Sequence, residues 1–223
     1  MLKGKNPTIA IVDSGIGGVS VLKQLIAKYN GGNFIYFADN LYMPYGNKNK
    51  IWLKNRIEEI IGILQDRYNV DYIIIACNTA SSVLDTSEYK NLYCMPFQEG
   101  VTYLATKLTK QNLHNIDVIA DRYLANLIEK YILDEKKLKD IVKRKTKKYQ
   151  LMNKDRFILG CTHYELVNDI FKENCPNTEV INNSSFLIEK TKINIQQMDL
   201  NIVVLLSKED EMLKEKILAI IRG

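Results

Sequence analysis

Short runs of β-branched apolar residues recur along this chain, each closed by a small or polar residue and followed by a helical pattern. Ile9-Ala10-Ile11-Val12 ends in Asp13-Ser14-Gly15-Ile16-Gly17-Gly18 and precedes a helix through Val19, Leu22, Leu25 and Ile26. Asn33 to Ala38 runs through Asp39 into the turn Pro44-Tyr45-Gly46, and Ile51 to Arg67 gathers Ile57, Ile60, Ile61 and Leu64 on one helical face. A third run, Ile73-Ile74-Ile75, follows. The order β-α-β-α-β-α needs crossover connections and predicts a parallel sheet covered on both faces, an α/β fold. In such sheets ligands bind beyond the carboxyl ends of the strands.

Two of those strand ends deliver a thiol. The third run stops at Ala76-Cys77-Asn78-Thr79-Ala80-Ser81, and Phe157-Ile158-Leu159-Gly160 stops at Cys161-Thr162-His163-Tyr164. Between them, Ile116 to Ala120 reads as a strand leading to Asp121 and a helix through Leu124, Leu127, Ile128 and Ile132. The chain therefore reads as two similar halves, one from the Asp13 strand to Cys77 and one from the Ile116 strand to Cys161. No long Gly/Ser/Pro linker divides them, so they are expected to pack closely with a cleft between. A cysteine is a base only as the thiolate, whose reference pKa of about 8.5 falls at a helix N-terminus or beside a cation. Both cysteines are expected at such termini, with His163 placed to exchange a proton with a thiol and Asp13 to orient a partner or meet an amine. Two thiols facing each other across a carbon can remove a proton from one face and return one to the other, which inverts the centre.

Other readings fit less of the chain. A Cys-His nucleophilic hydrolase would use Cys161 and His163, yet it leaves Cys77-Asn78-Thr79 unexplained. Two histidines and no tight Cys/His set argue against zinc. The glycines of residues 15–18 match neither the dinucleotide fingerprint nor a P-loop. Lys136 to Lys148 is dense in lysine but has only Tyr149 nearby, which predicts a solvated helix or flexible connection rather than a nucleic-acid surface. The net charge of +5 is mild, and 46% hydrophobic with 26% charged residues is ordinary for a globular protein. Met1 to Thr8 lacks the apolar region of a signal peptide, and no run approaches membrane-span length. Four scattered cysteines point to free thiols in a reducing cytoplasm. Cys94 and Cys175 are expected to be structural.

Taken together, Asp13-Ser14-Gly15-Ile16-Gly17-Gly18, Pro44-Tyr45-Gly46, Ala76 to Ser81 and Leu159 to Tyr164 resemble the motifs of bacterial glutamate racemases, of the aspartate/glutamate racemase superfamily. The resemblance covers residues 9 to about 130, resumes over 157 to about 190, and implies a shortened member. It implies two pseudo-symmetric α/β lobes, each a mainly parallel sheet flanked by helices, with the active site in the cleft between them. Lobe one would hold residues 1–92 and 186–223, and lobe two residues 93–185, shortened around 134–156. It implies cofactor-independent, metal-free racemisation, with Cys77 taking the α-proton of D-glutamate and Cys161 that of L-glutamate, assisted by Asp13 and His163. Ser14, Pro44, Tyr45, Gly46, Asn78, Thr79 and Thr162 would hold the substrate. The implied setting is cytoplasmic supply of D-glutamate for peptidoglycan, with glutamate as partner, no nucleic acid or membrane, and a possible homodimer. Aspartate as substrate, or a non-catalytic member that binds a ligand or partner, are the alternatives.

Three departures accompany the resemblance. The family has a longer segment with a site carboxylate, for which Asp134 to Arg156 offers no match. The second-half strand usually ends in threonine, whereas Ala120 is followed by Asp121, an anion expected near an anionic substrate. Tyr42 stands where arginine is common.

Overall fold

β1 (Thr8–Asp13) alternates strictly: Ile9 and Ile11 enter one core, Ala10 and Val12 the opposite one. That period of two is what a strand buried on both faces requires. In the computed structural model, which describes residues 6–87, 89–196 and 199–222, β1 is the centre of a five-stranded parallel sheet. The N-terminal reading on Met1 to Thr8 falls largely outside the described residues.

The first sheet has the order β4-β3-β1-β2-β9. Its members are β2 (Gly32–Ala38), β3 (Tyr72–Ile75), β4 (Leu92–Cys94) and, from far along the chain, β9 (Leu200–Leu206). α1 (Val19–Tyr29) covers one face and α2 (Lys50–Tyr68) the other. Asn49 caps α2 by accepting from the backbone N–H groups of Ile51 and Trp52 at 2.9 and 3.3 Å, a cap worth about 1 kcal/mol. The short α3 (Asn78–Ser81) follows β3 directly.

The second sheet is also parallel, with the order β6-β5-β7-β8. It comprises β5 (Thr102–Ala105), α4 (Lys107–Asn112), β6 (Val118–Ala120), α5 (Leu124–Tyr131), α6 (Glu135–Lys148), β7 (Arg156–Gly160), α7 (Thr162–Glu165), α8 (Asn168–Asn174) and β8 (Glu179–Asn182). α9 (Asn183–Lys190) then returns the chain to the first sheet, where Leu187 joins the core, and α10 (Glu211–Arg222) closes that layer through Leu213 and Ile217.

The order β6-β5-β7-β8 repeats β2-β1-β3-β4. The internal repeat therefore begins at Thr102, not at Ile116 as the periodicity suggested. β5 is the counterpart of β1, and β7, with Cys161, is the counterpart of β3, with Cys77. β5 escaped notice because Thr102-Tyr103-Leu104-Ala105 has only four residues and one β-branched member. After Cys161 the chain is helical in two short pieces, α7 and α8.

The lysine-rich stretch is the amphipathic helix α6. Leu138, Ile141, Val142 and Thr146 are buried, while the lysines on its far face meet solvent. Among the described residues no helix is long and apolar enough to cross a membrane.

Candidate active site

Where the carboxyl ends of β1 and β3 meet those of β5 and β7, a small cavity opens between the sheets. Cys77 and Cys161 both line it, with Ser14, Pro44, Tyr45, Gly46, Thr79, Thr162 and His163. Asp13 and Asn78 do not line it. Met43, Thr106, Ala125 and Asn126 complete the wall and were not singled out from the sequence.

Each thiol is the residue immediately before a one-turn helix, Cys77 before α3 and Cys161 before α7. The two environments differ. Burial and the charge of Asp13 push the Cys77 thiol well up, against the backbone N–H groups of Ala80 and Thr79 that point at the sulfur. The expectation of a thiol made acidic by its helix terminus therefore fails for Cys77: one helical turn offers too little partial charge to outweigh desolvation. Cys161 instead shares a hydrogen bond with His163.

His163 is buried, and Nε2 stands 2.5 Å from Glu129 Oε2. Burial disfavours the imidazolium, but the hydrogen bonds to Cys161 and Glu129 outweigh it and hold the pKa well above the ordinary value. Glu129 lies on α5 and also accepts from the backbone N–H of Ile16 at 3.3 Å, so it bridges the sheets. This carboxylate lies upstream of Asp134 to Arg156, the segment that offers no match for the family's site carboxylate. Its signal in the sequence is weak: a glutamate on the same face as Ala125, one turn earlier, in an otherwise ordinary amphipathic helix.

Asp13 stands behind the cavity, fully buried. It accepts from the backbone N–H of Gly15 at 3.0 Å and from Thr162 Oγ1 at 2.9 Å. Burial pushes its carboxyl up, while His163 and those two hydrogen bonds pull it down. Thr79 joins Thr106 and Thr109 in a hydroxyl cluster with Oγ1 separations of 2.9 and 3.3 Å. Thr106 follows β5, so the second-half strand that ends in threonine is β5. Asn78 Oδ1 accepts from Asn183 Nδ2 at 2.5 Å.

Two expectations change. Tyr45 does not offer its hydroxyl to the cavity, because it donates to Asp39 at 2.7 Å, and Arg56 holds the same carboxylate at 2.7 and 3.0 Å. Arg56 also lies over the Tyr42 ring, 4.9 Å from its centre. Asp121 brings no free negative charge to the site. It caps α5 by accepting from Tyr123 and Leu124, accepts from the Tyr149 hydroxyl at 2.8 Å, and pairs with Lys145 Nζ at 2.5 Å. Those partners outweigh burial and hold its carboxyl below the usual range. Lys145 and Tyr149 belong to the segment that had no assigned task. Among the described residues no group of three or more His, Cys, Asp or Glu could hold a metal ion.

No family model matches the chain. A glutamate racemase of Sulfurihydrogenibium sp. is 30% identical over 219 residues, 85% of this chain and 84% of that protein. The chain belongs to the glutamate racemase family. Its relatives are isomerases, and the fold agrees with theirs. The glutamate racemase of Thermus thermophilus, solved with β-chloro-D-alanine, superposes with a TM-score of 0.80 at 22% identity, covering 97% of this chain and 92% of that one. The Escherichia coli glutamate racemase, solved with L-glutamate and the activator UDP-MurNAc-Ala, gives a TM-score of 0.79 at 23% identity, covering 98% and 95%. Both likenesses bear on the fold: two parallel sheets flanked by helices.

Proposed function

We propose that this racemase-family protein interconverts L- and D-glutamate by two opposed bases, Cys77 and Cys161, in the cavity between its sheets. The observation that carries the reading is that equivalent strands of a structural repeat, β3 and β7, each deliver a thiol to one small cavity. Racemisation needs that symmetry and a hydrolase does not. The Cys161 thiolate takes the α-proton of L-glutamate, breaking C–H and forming S–H. The Cys77 thiol gives its proton to the opposite face and is left as thiolate, so D-glutamate departs with the two protonation states exchanged.

The His163–Glu129 pair supplies a fixed cationic donor beside Cys161. Ser14 and Thr79 offer hydroxyls to the substrate's carboxylates, and Thr162 Oγ1, whose proton goes to Asp13, is left to accept from the amine. The relatives' names and the L-glutamate in the Escherichia coli structure support glutamate over a shorter substrate. The product is read as D-glutamate for peptidoglycan, made in the cytoplasm.

The test is proton NMR of L-glutamate with the protein in D2O, followed by chiral analysis. Loss of the α-proton signal with appearance of D-glutamate is expected. A folded, reduced sample that exchanges no α-proton of glutamate overturns the reading.

A further inference from the structure

Behind the cavity lies a second set of polar side chains, none of which lines it. Asn78 follows Cys77, and its Oδ1 accepts from Asn183 at the start of α9. The next residue, Ser184, donates from its backbone N–H to Glu165 Oε1 at 3.0 Å and from its hydroxyl to Oε2 at 2.5 Å. Glu165 is the last residue of α7, the helix that Cys161 opens. Gln24 Nε2 of α1 donates to Ser184 Oγ at 2.7 Å, and Ser20 Oγ of α1 lies 3.3 Å from Glu165 Oε2. A continuous path thus runs from one thiol-bearing turn to the other through the first turn of α9.

We propose that Asn183-Ser184 and Glu165 form a positioning strap that fixes the two thiol-bearing turns relative to each other. The inference rests on the two-thiol reading above. These are positioning residues, since none lines the cavity.

Three observations favour this over a general packing role. The strap joins the residue directly after Cys77 to the fourth residue after Cys161, so slack in it bears on the separation of the two thiols. α3 and α7 are one turn each and cannot fix that separation from within. Asn78 Nδ2 and Asn183 Oδ1 are buried without a partner among the described residues, a stability cost that apolar side chains there would not carry.

Inversion needs both thiols in place at once, whereas exchange with retention needs one. In the latter, Cys161 breaks the α-C–H bond of L-glutamate, its new S–H becomes S–D by exchange with D2O, and the deuteron returns to the same face, restoring the thiolate. Slack in the strap should therefore raise retained exchange relative to inversion. Glu165→Ala, Glu165→Gln and Ser184→Ala, each checked for folding by circular dichroism, are compared with wild type in D2O. Initial rates of deuterated L-glutamate and of D-glutamate are read together.

The ratio of retained exchange to inversion is expected to rise on the order of tenfold in Glu165→Ala and Ser184→Ala. Glu165→Gln should stay nearer wild type, because its amide oxygen still accepts from α9. If both rates fall in proportion in the folded variants, the strap is structural glue and the inference is overturned. Should Glu165→Ala not fold, Ser184→Ala decides, since it removes a single hydroxyl. Wild type that neither exchanges nor inverts overturns the racemase reading itself, and the inference with it.

Discussion

Gly17 lies where the first sheet's loop meets the turn that carries Cys161. A Cβ at this position would stand 2.7 Å from His163 Nδ1 and 2.9 Å from the His163 backbone N, with Thr162 Oγ1 closer still. Ordinary contact begins at 3.4 Å, so for Gly17→Ala the Thr162-His163 turn must withdraw by at least the difference between 2.7 and 3.4 Å, about 0.7 Å. Two of the three nearest atoms belong to groups that are themselves held, Thr162 by Asp13 and His163 by Glu129, so the strain cannot be relieved by one side-chain rotation. Overpacking of this kind costs about 1–3 kcal/mol of stability, which leaves a protein of this size folded. A displacement of about 1 Å in a catalytic group can cost on the order of a hundredfold in rate. The expected result for Gly17→Ala is a kcat lowered roughly 30- to 100-fold, with a folded circular dichroism spectrum and a modestly lowered denaturation midpoint. The assay is coupled or chiral detection of D-glutamate from L-glutamate across substrate concentrations. A folded Gly17→Ala with kcat within about twofold of wild type would refute the reasoning, because the turn could then move without consequence for the chemistry.

Further outcomes follow from single residues. Cys77→Ser should lower racemisation by at least about a hundredfold, since a hydroxyl is a far weaker acid than a thiol and leaves almost no alkoxide to act as the base, and unchanged racemisation on chiral chromatography would remove Cys77 from the mechanism. The folded pKa of His163 lies well above 6.5, so the stability it contributes is complete below that value and is lost as pH rises through the folded pKa. Urea midpoints measured from about pH 6 upward should therefore fall more steeply for wild type than for Glu129→Gln, and parallel curves would deny the pair its ionic character. Gly62→Ala in α2 meets nothing within 4 Å, so the variant should gain roughly 0.5–1 kcal/mol of stability from helix propensity alone. A loss in thermal melting would contradict that geometry.

Three of the four sequence motifs located the cavity because each joins a strand end to a run of small and polar residues. Cys77 and Cys161 were legible as a pair for that reason. Glu129 was not legible: it reaches His163 across the gap between sheets, and a helix face announces its partners only when the facing element is known. Asp121 misled in the opposite direction, since its charge is met by Lys145, 24 positions later, on a helix whose lysines read as solvated. Tyr45 had the right place and a different use, its hydroxyl being taken by Asp39. The repeat boundary was misread because β5 is short and mixed in composition, and only strand order identifies it as the partner of β1. Residues whose role depends on local backbone chemistry could be read from the chain. Those whose role depends on a distant neighbour could not.

The pairing of β2 with β9 has a consequence for how the protein is made. All four strands of the second sheet lie between residues 102 and 182, so that sheet can be completed while the ribosome still holds the remainder of the chain. The first sheet cannot: the outer edge of β2 waits for Leu200–Leu206, which register against Gly32–Ala38. Until then a strand containing Phe34, Tyr36 and Phe37 presents open backbone groups, the kind of edge that recruits other chains. A message interrupted shortly before Leu200 would therefore yield an aggregating species rather than a partly working enzyme, although every residue lining the cavity had already been translated.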